Sequence, residues 1–101
     1  MNPVTQSLLS IIVPLYNEED NVVLLTKKIH ESLSGYNYQI IYIDDFSRDA
    51  TRQVVKKMGD EKVHLIELKK NYGQSLALAA GIDYAEGKYI ITMDGDLQND
   101  P

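Results

Sequence analysis

A three-layer α/β/α fold around a mainly parallel, doubly wound sheet is the architecture this sequence predicts, and three observations carry it. Four short apolar runs, at 9–14, 38–43, 63–68 and 89–93, alternate with three segments whose apolar residues recur at helical steps. The first run, Leu9-Ser10-Ile11-Ile12-Val13-Pro14, is nearly continuous and rich in Ile and Val, the mark of a strand covered on both faces. Glycines at 35, 59 and 87 stand between the units, where a chain turns. Such alternation implies right-handed crossovers and parallel strands. In the order 3-2-1-4, strands one and four are neighbours and the topological switch lies between them.

After the first strand, Val22, Leu25, Ile29 and Leu33 recur at three- and four-residue steps opposite Lys27, Lys28 and Glu31, which predicts a helix ended by Gly35. Tyr38 to Ile43, β-branched and aromatic, is the second strand and runs into Asp44-Asp45. Ser47 is placed to cap the next helix, whose apolar stripe is Ala50, Val54 and Met58, up to Gly59. Val63 to Leu68 forms a third strand, with Lys69-Lys70-Asn71-Tyr72-Gly73 as its exit loop. The helix from Gln74 to Ala85 is dense in small residues, Ala77, Ala79, Ala80 and Gly81, which permits close packing. Gly87 then precedes the fourth strand at Tyr89.

Composition narrows the function classes. The 101 residues have room for a single domain, 1–101, able to bury roughly 65% of its unfolded surface. Apolar residues at 44% and charged residues at 25% are the proportions of a folded globular protein. A formal charge of −5 argues against nucleic acid as a partner, because such surfaces cluster Lys and Arg. The absence of Cys removes disulfides and thiolate metal ligands alike. Leu8 to Leu15 is too short to span a membrane and contains Pro14, so the chain itself is expected to be soluble.

Carboxylates gather where the strands end. Asp94-Gly95-Asp96 follows strand four, and two acids one small residue apart supply the hard oxygen ligands that Mg²⁺ or Mn²⁺ prefers and often shares with a substrate's phosphates. Tyr16-Asn17-Glu18-Glu19 leaves strand one and Asp44-Asp45 leaves strand two, so the topology brings three acid clusters to the carboxyl edge, where such sheets bind ligands. Each cluster alone has a second reading. Glu18, Glu19 and Asp20, or Asp44, Asp45 and Asp49, also suit helix N-termini through the macrodipole.

Tyr16 sits in a loop from which a ring can lie against a nucleobase, and Lys69-Lys70 is either a diphosphate partner or a solvated pair. His30, beside Ile29, and His64, in a strand, lack metal-ligand spacing and read as surface or packing residues. No G-x-G-x-x-G follows strand one, which excludes the usual dinucleotide approach, and Gly81 to Lys88 lacks P-loop spacing.

Four blocks, taken in order, are similar to a known family: Ile11-Ile12-Val13-Pro14-Leu15-Tyr16-Asn17-Glu18-Glu19, Ile43-Asp44-Asp45-Phe46-Ser47-Arg48-Asp49-Ala50-Thr51, Asn71-Tyr72-Gly73-Gln74, and Met93-Asp94-Gly95-Asp96-Leu97-Gln98-Asn99-Asp100-Pro101. They resemble the N-terminal half of family 2 inverting glycosyltransferases, above all the polyprenyl-phosphate branch that includes dolichol-phosphate and undecaprenyl-phosphate transferases. The resemblance covers nearly the whole chain. It implies the nucleotide-binding half of a GT-A fold, with a nucleotide-sugar pocket of Pro14, Tyr16, Glu18, Ile43, Asp45, Met93, Asp94 and Gly95. It implies a divalent cation, Mg²⁺ or Mn²⁺, on Asp94, Asp96 and Gln98. Phe46 departs from the glycine usual after the acid pair, and a bulky residue takes positive φ there only at a cost.

The activity implied is transfer of a sugar from a UDP- or GDP-type donor to a polyprenyl phosphate, with inversion, at the cytoplasmic face of the membrane during cell-envelope synthesis. The catalytic residues, the lipid-phosphate acceptor groove and the membrane segments are then expected from a following half. The chain alone is expected to be inactive, and the open edge of strand four to drive self-association. Other readings stay open at this stage. They are a family 2 transferase acting on a sugar hydroxyl in surface polysaccharide, a receiver-like Mg²⁺-binding switch, and an interaction domain whose acids only cap helices. The switch would carry its acid pair after strand one, whereas here the pair follows strand two.

Overall fold

The structure, a computed structural model, describes residues 7–95. Its elements are β1 (Leu9–Leu15), α1 (Val22–Ser32), β2 (Tyr38–Asp44), α2 (Thr51–Lys57), β3 (Val63–Glu67), α3 (Gln74–Tyr84) and β4 (Tyr89–Thr92). The strands pair in parallel in the order β3-β2-β1-β4.

The strand pleat creates the layers. Ile11, Val13 and Leu15 of β1, with Ile40 and Tyr42 of β2, project to the side where Val22, Leu25 and Ile29 of α1 and Val55 of α2 meet them. Ile12, Ile41 and Ile43 project to the opposite side and meet Ala77 of α3. Each Ile buried this way stabilises the fold by about 1.5–3 kcal/mol, and both faces need one, which is why the runs read as continuous. The change of side falls between β1 and β4, so the switch point opens at their carboxyl ends.

Several buried polar side chains pair across elements. The Tyr42 hydroxyl and Thr26 Oγ1 lie 2.6 Å apart, and burial pushes the Tyr42 phenol up to about 12. Ser10 Oγ donates to Gln39 Oε1 at 2.7 Å and accepts the Gly87 N–H at 2.8 Å, which fastens the turn into β4. Among the described residues β4 pairs with β1 alone, and Tyr89, Ile90 and Ile91 stay 40, 45 and 39% exposed.

The α2 helix corrects an expectation. Ala50, not Ser47, occupies its N-cap position, and Ala50 makes no side-chain cap. Ser47 Oγ is drawn to the buried Asp44 Oδ1, and Asp49 Oδ1 takes the Thr51 N–H at 2.9 Å. Thr51 and Val55 are the buried positions, while Ala50, Val54 and Met58 are half-buried alongside. The inward face is turned by one residue because the Thr51 hydroxyl is held between Asp49 Oδ1 and the Glu18 N–H.

Candidate functional site

Three loops leave the carboxyl edge, and the middle one, after β2, ties the other two together. Asp44 ends β2 with no accessible surface. A carboxylate buried so completely needs donors. It accepts the Ser47 N–H at 2.9 Å and the Ser47 hydroxyl, with Arg52 Nε 3.5 Å away as an ion pair that lacks hydrogen-bond geometry. Ser47 Oγ accepts the Asn17 N–H at 2.9 Å, Thr51 Oγ1 the Glu18 N–H at 2.8 Å, and Asp49 Oδ2 the Glu19 N–H at 3.2 Å. Arg48 N–H donates back to Asn17 Oδ1 at 2.8 Å, and Asn17 holds φ +54, a conformation Asn tolerates. Tyr16 and Glu18 are aimed by this clasp.

The Asp49 carboxylate shows the clasp in its acidity. Partial desolvation works against its charge, but hydrogen bonds from the Thr51 hydroxyl and from the Thr51 and Glu19 N–H groups outweigh that and hold it below the usual carboxylate range.

On the other side Asp45 holds the loop after β3. Its Oδ1 accepts the Tyr72 N–H at 2.8 Å, its Oδ2 the Gly73 N–H at 2.9 Å, and its carbonyl the Asn71 side-chain amide at 3.2 Å. Phe46 stands between the two clasps at φ +63, with the Arg52 guanidinium 5.9 Å from its ring centre. That turn costs a bulky residue about 1–2 kcal/mol. It persists because Asp45 and Ser47, one residue to either side, are fixed to opposite loops.

Between these loops and the end of β4 lies a cleft of about 200 Å³. Pro14, Leu15, Tyr16 and Glu18 line it from the β1 end, Asp45 from β2, Asn71 and Gln74 from the approach to α3, and Asp94 from β4. Among the described residues the lining contains three carboxylates and no Lys or Arg. Of the residues expected from the sequence, Pro14, Tyr16, Glu18, Asp45 and Asp94 are thus brought together.

Three others are placed elsewhere. Ile43 has no accessible surface and packs beneath α3 against Gly81, so it supports the cleft without lining it. Met93 joins the core on the α1 side and borders an apolar hollow with Ile11, Leu25, Ile29 and Ile91. Gly95 is buried where a methyl group would lie 2.8 Å from the Pro14 carbonyl oxygen and 2.9 Å from Leu15 Cδ2, so only glycine lets β4 close on the cleft floor. Asp96 and Gln98 lie outside the described residues.

The sequence pattern by itself gives Asn71 and Gln74 no role in the cleft. The signal that could have found them is the exit of β3 into Gly73, whose φ is +94, directly before a helix. Lys69 and Lys70 do not line the cleft, and Lys70 Nζ sits 5.2 Å from the Tyr72 ring centre. The histidines occupy the opposite edge. His30 bridges the Tyr38 hydroxyl and Asp60, and His64 meets the Tyr84 hydroxyl at 3.2 Å.

The carboxylate oxygens of the cleft are hard donors suited to a divalent ion such as Mg²⁺ or Mn²⁺. Among the described residues no group of three or more His, Cys, Asp and Glu side chains converges closely enough to hold one. Nor is any helix among them long and apolar enough to cross a membrane.

Comparison with known proteins adds to this geometry. A family model described as glycosyl transferase family 2 matches residues 10–101. The chain is 43% identical over 105 residues to dodecaprenyl-phosphate galacturonate synthase of Rhizobium johnstonii, covering 99% of this chain and 31% of that protein. It is 36% identical over 106 residues to undecaprenyl-phosphate 4-deoxy-4-formamido-L-arabinose transferase of Pseudomonas fluorescens, covering 100% of this chain and 31% of that one. It spans about a third of the length of these curated relatives. Among solved structures, mannosyltransferase PcManGT from Pyrobaculum calidifontis in complex with GDP-Man and Mn²⁺ aligns with a TM-score of 0.80 at 23% identity, over 94% of this chain and 29% of its own. At that identity the likeness is one of fold, and the fold is GT-A-like.

Proposed function

This chain belongs to glycosyl transferase family 2, and we propose that it forms the donor-binding part of a metal-dependent transferase passing a sugar from a UDP- or GDP-type nucleotide sugar to a polyprenyl phosphate, with inversion. The observation that carries this reading is the convergence of Tyr16, Glu18, Asp45 and Asp94, from three strand ends, on one cleft at the topological switch. Tyr16, 42% exposed, offers an aromatic face of the kind on which a nucleobase stacks. Pro14, Glu18 and Asp45 line the pocket beside it, with Ile43, Met93 and Gly95 as its support.

The charge of the lining supports the cation. An anionic diphosphate entering a cleft whose described lining has three carboxylates and no Lys or Arg meets repulsion unless positive charge accompanies it. Asp94, with Asp96 and Gln98, would hold Mg²⁺ or Mn²⁺, and when bound the ion supplies positive charge against the departing diphosphate. A lipid phosphate presents an oxygen that is already anionic, so the acceptor needs little help from a general base. The relatives named for dodecaprenyl and undecaprenyl phosphate support that acceptor class, and the fold neighbour solved with GDP-Man and Mn²⁺ supports a nucleotide sugar and a divalent ion. With such an acceptor the whole protein works at the cytoplasmic face of a membrane.

Calorimetric titration with UDP and with GDP, each with and without Mn²⁺, tests the donor site. The expected result is binding that requires the metal, prefers one base and is lost in Asp94→Ala and Asp96→Ala. Metal-independent binding, or affinity untouched by both substitutions, would refute it.

A further inference from the structure

Three consecutive backbone N–H groups, those of Asn17, Glu18 and Glu19, end on side-chain oxygens of one short segment. Ser47 Oγ takes the first at 2.9 Å, Thr51 Oγ1 the second at 2.8 Å and Asp49 Oδ2 the third at 3.2 Å. Successive N–H groups turned to one side form a concavity that holds an anion, and Asn17 at φ +54 supplies the left-handed bend that gathers them. This turn leads from β1 into α1, the place where many doubly wound folds hold a ligand's phosphate. Here the chain fills the concavity with two hydroxyls and a carboxylate of its own, so the turn holds a loop in place of a phosphate.

Thr51 is the centre of the arrangement. It has no accessible surface, its hydroxyl donates to Asp49 Oδ1, and the same oxygen accepts the Glu18 N–H. The Glu18 carbonyl in turn accepts the Asn21 N–H at 3.0 Å and the Val22 N–H at 2.9 Å, the bonds that start α1. Glu18 is therefore tied to the start of α2 by its N–H and to the start of α1 by its C=O, while its Oε1 takes the Asn21 side-chain amide at 3.0 Å. That same residue lines the cleft together with Tyr16, two positions before it. Removing the Thr51 hydroxyl strands the Glu18 N–H, and the loop must shift to find another acceptor.

We propose that Thr51 is a positioning residue for donor recognition: its buried hydroxyl, through the Glu18 N–H, sets where Tyr16 and Glu18 stand in the cleft and acts on a bound nucleoside diphosphate only through that loop. This rests on the donor-site reading of the cleft. Ser47 and Asp49 hold the N–H groups on either side, so the hydroxyl of Thr51 works in a set of three and fixes direction as well as distance.

The test is titration of the whole chain with UDP and with GDP in the presence of Mn²⁺, with hydrogen exchange of individual amides measured alongside. The proteins are wild type, Thr51→Val, Thr51→Ser, Tyr16→Ala, the Thr51→Val/Tyr16→Ala pair, and Asn17→Gly. Val keeps the branched shape of Thr51 and removes only the hydroxyl. It is expected to speed exchange at Glu18 and to weaken nucleotide binding about tenfold, and in the paired variant the two losses do not multiply. Thr51→Ser, which returns the hydroxyl without the methyl group, is expected to restore both readings. Asn17→Gly keeps the left-handed turn and removes the acceptor of the Arg48 N–H at an exposed position, so it loosens the same loop and weakens binding in the same direction if Thr51→Val unfolds. An affinity loss that Thr51→Ser leaves in place, or losses that multiply with exchange at Glu18 unchanged, would overturn the proposal. Full affinity in Thr51→Val would overturn the proposal alone, whereas absence of binding by the folded wild-type chain would overturn the donor-site reading and the proposal with it.

Discussion

Replacing Gly81 with alanine sets two effects of opposite sign against each other. In an exposed helix interior the change gains about 1 kcal/mol. Gly81, however, is buried midway along α3, where a methyl group would stand 2.5 Å from Ile12 Cγ2, 2.5 Å from Ile43 Cδ1 and 3.2 Å from Ile43 Cγ1. Ordinary carbon contacts begin at about 3.5 Å, so two of these are about 1 Å short. Ile12 and Ile43 have no accessible surface and their β-branched side chains are stiff at χ1, so relief comes chiefly from outward movement of α3. Overpacking of this kind costs about 1–3 kcal/mol, and two simultaneous overlaps place it near the upper end. The net expectation is a loss of about 2 kcal/mol, which in a domain of this size lowers Tm by about 8–16 °C. Thermal and urea unfolding followed by circular dichroism measures it. Ile43→Val, which removes the offending Cδ1 atom, is expected to recover about 1 kcal/mol in the Gly81→Ala background. An unchanged or raised Tm would refute the close seating of α3 on the sheet, and with it the placement of Gln74 at the cleft.

The remaining predictions concern acid stability and the open sheet edge. Partial desolvation pushes the Asp60 carboxyl up, but the Lys62 N–H at 2.9 Å and His30 Nε2 at 2.5 Å outweigh it and hold the group below the usual carboxylate range. A depressed folded pKa contributes stability that is complete above the unfolded value of about 4 and is lost as pH falls through the folded value. Asp60→Asn is therefore expected to flatten the acid limb of a Tm-against-pH curve, and limbs of equal slope would contradict this. At β4, the exposed Tyr89, Ile90 and Ile91 and an outer edge that no described residue pairs are expected to give concentration-dependent association in sedimentation equilibrium, reduced by Ile90→Lys. A wild-type chain that stays monomeric at high concentration would sink that expectation.

The contrast among the acids explains what the sequence could and could not reveal. Strand order was legible because burial on two faces is written into each apolar run, and right-handed crossovers then leave few arrangements. The same topology placed the acid clusters at one edge. What it could not do is sort Asp44, Asp45 and Asp49, which are the same letter within six positions. Asp44 and Asp49 take local partners, Ser47 and Thr51, whose hydroxyls in turn meet the remote Asn17 and Glu18, while Asp45 meets Tyr72 and Gly73 directly. Ile43 and Met93 do not line the cleft, for a more local reason. Each stands beside an acid, but the two-residue period of a strand sends it to a face, Ile43 under α3 and Met93 toward α1, while the carboxylates leave at the edge. An edge built this way divides its acids by placement. Asp44 and Asp49 are turned into the loops they hold, while Glu18, Asp45 and Asp94, arriving from three strand ends, line the cleft beside the switch.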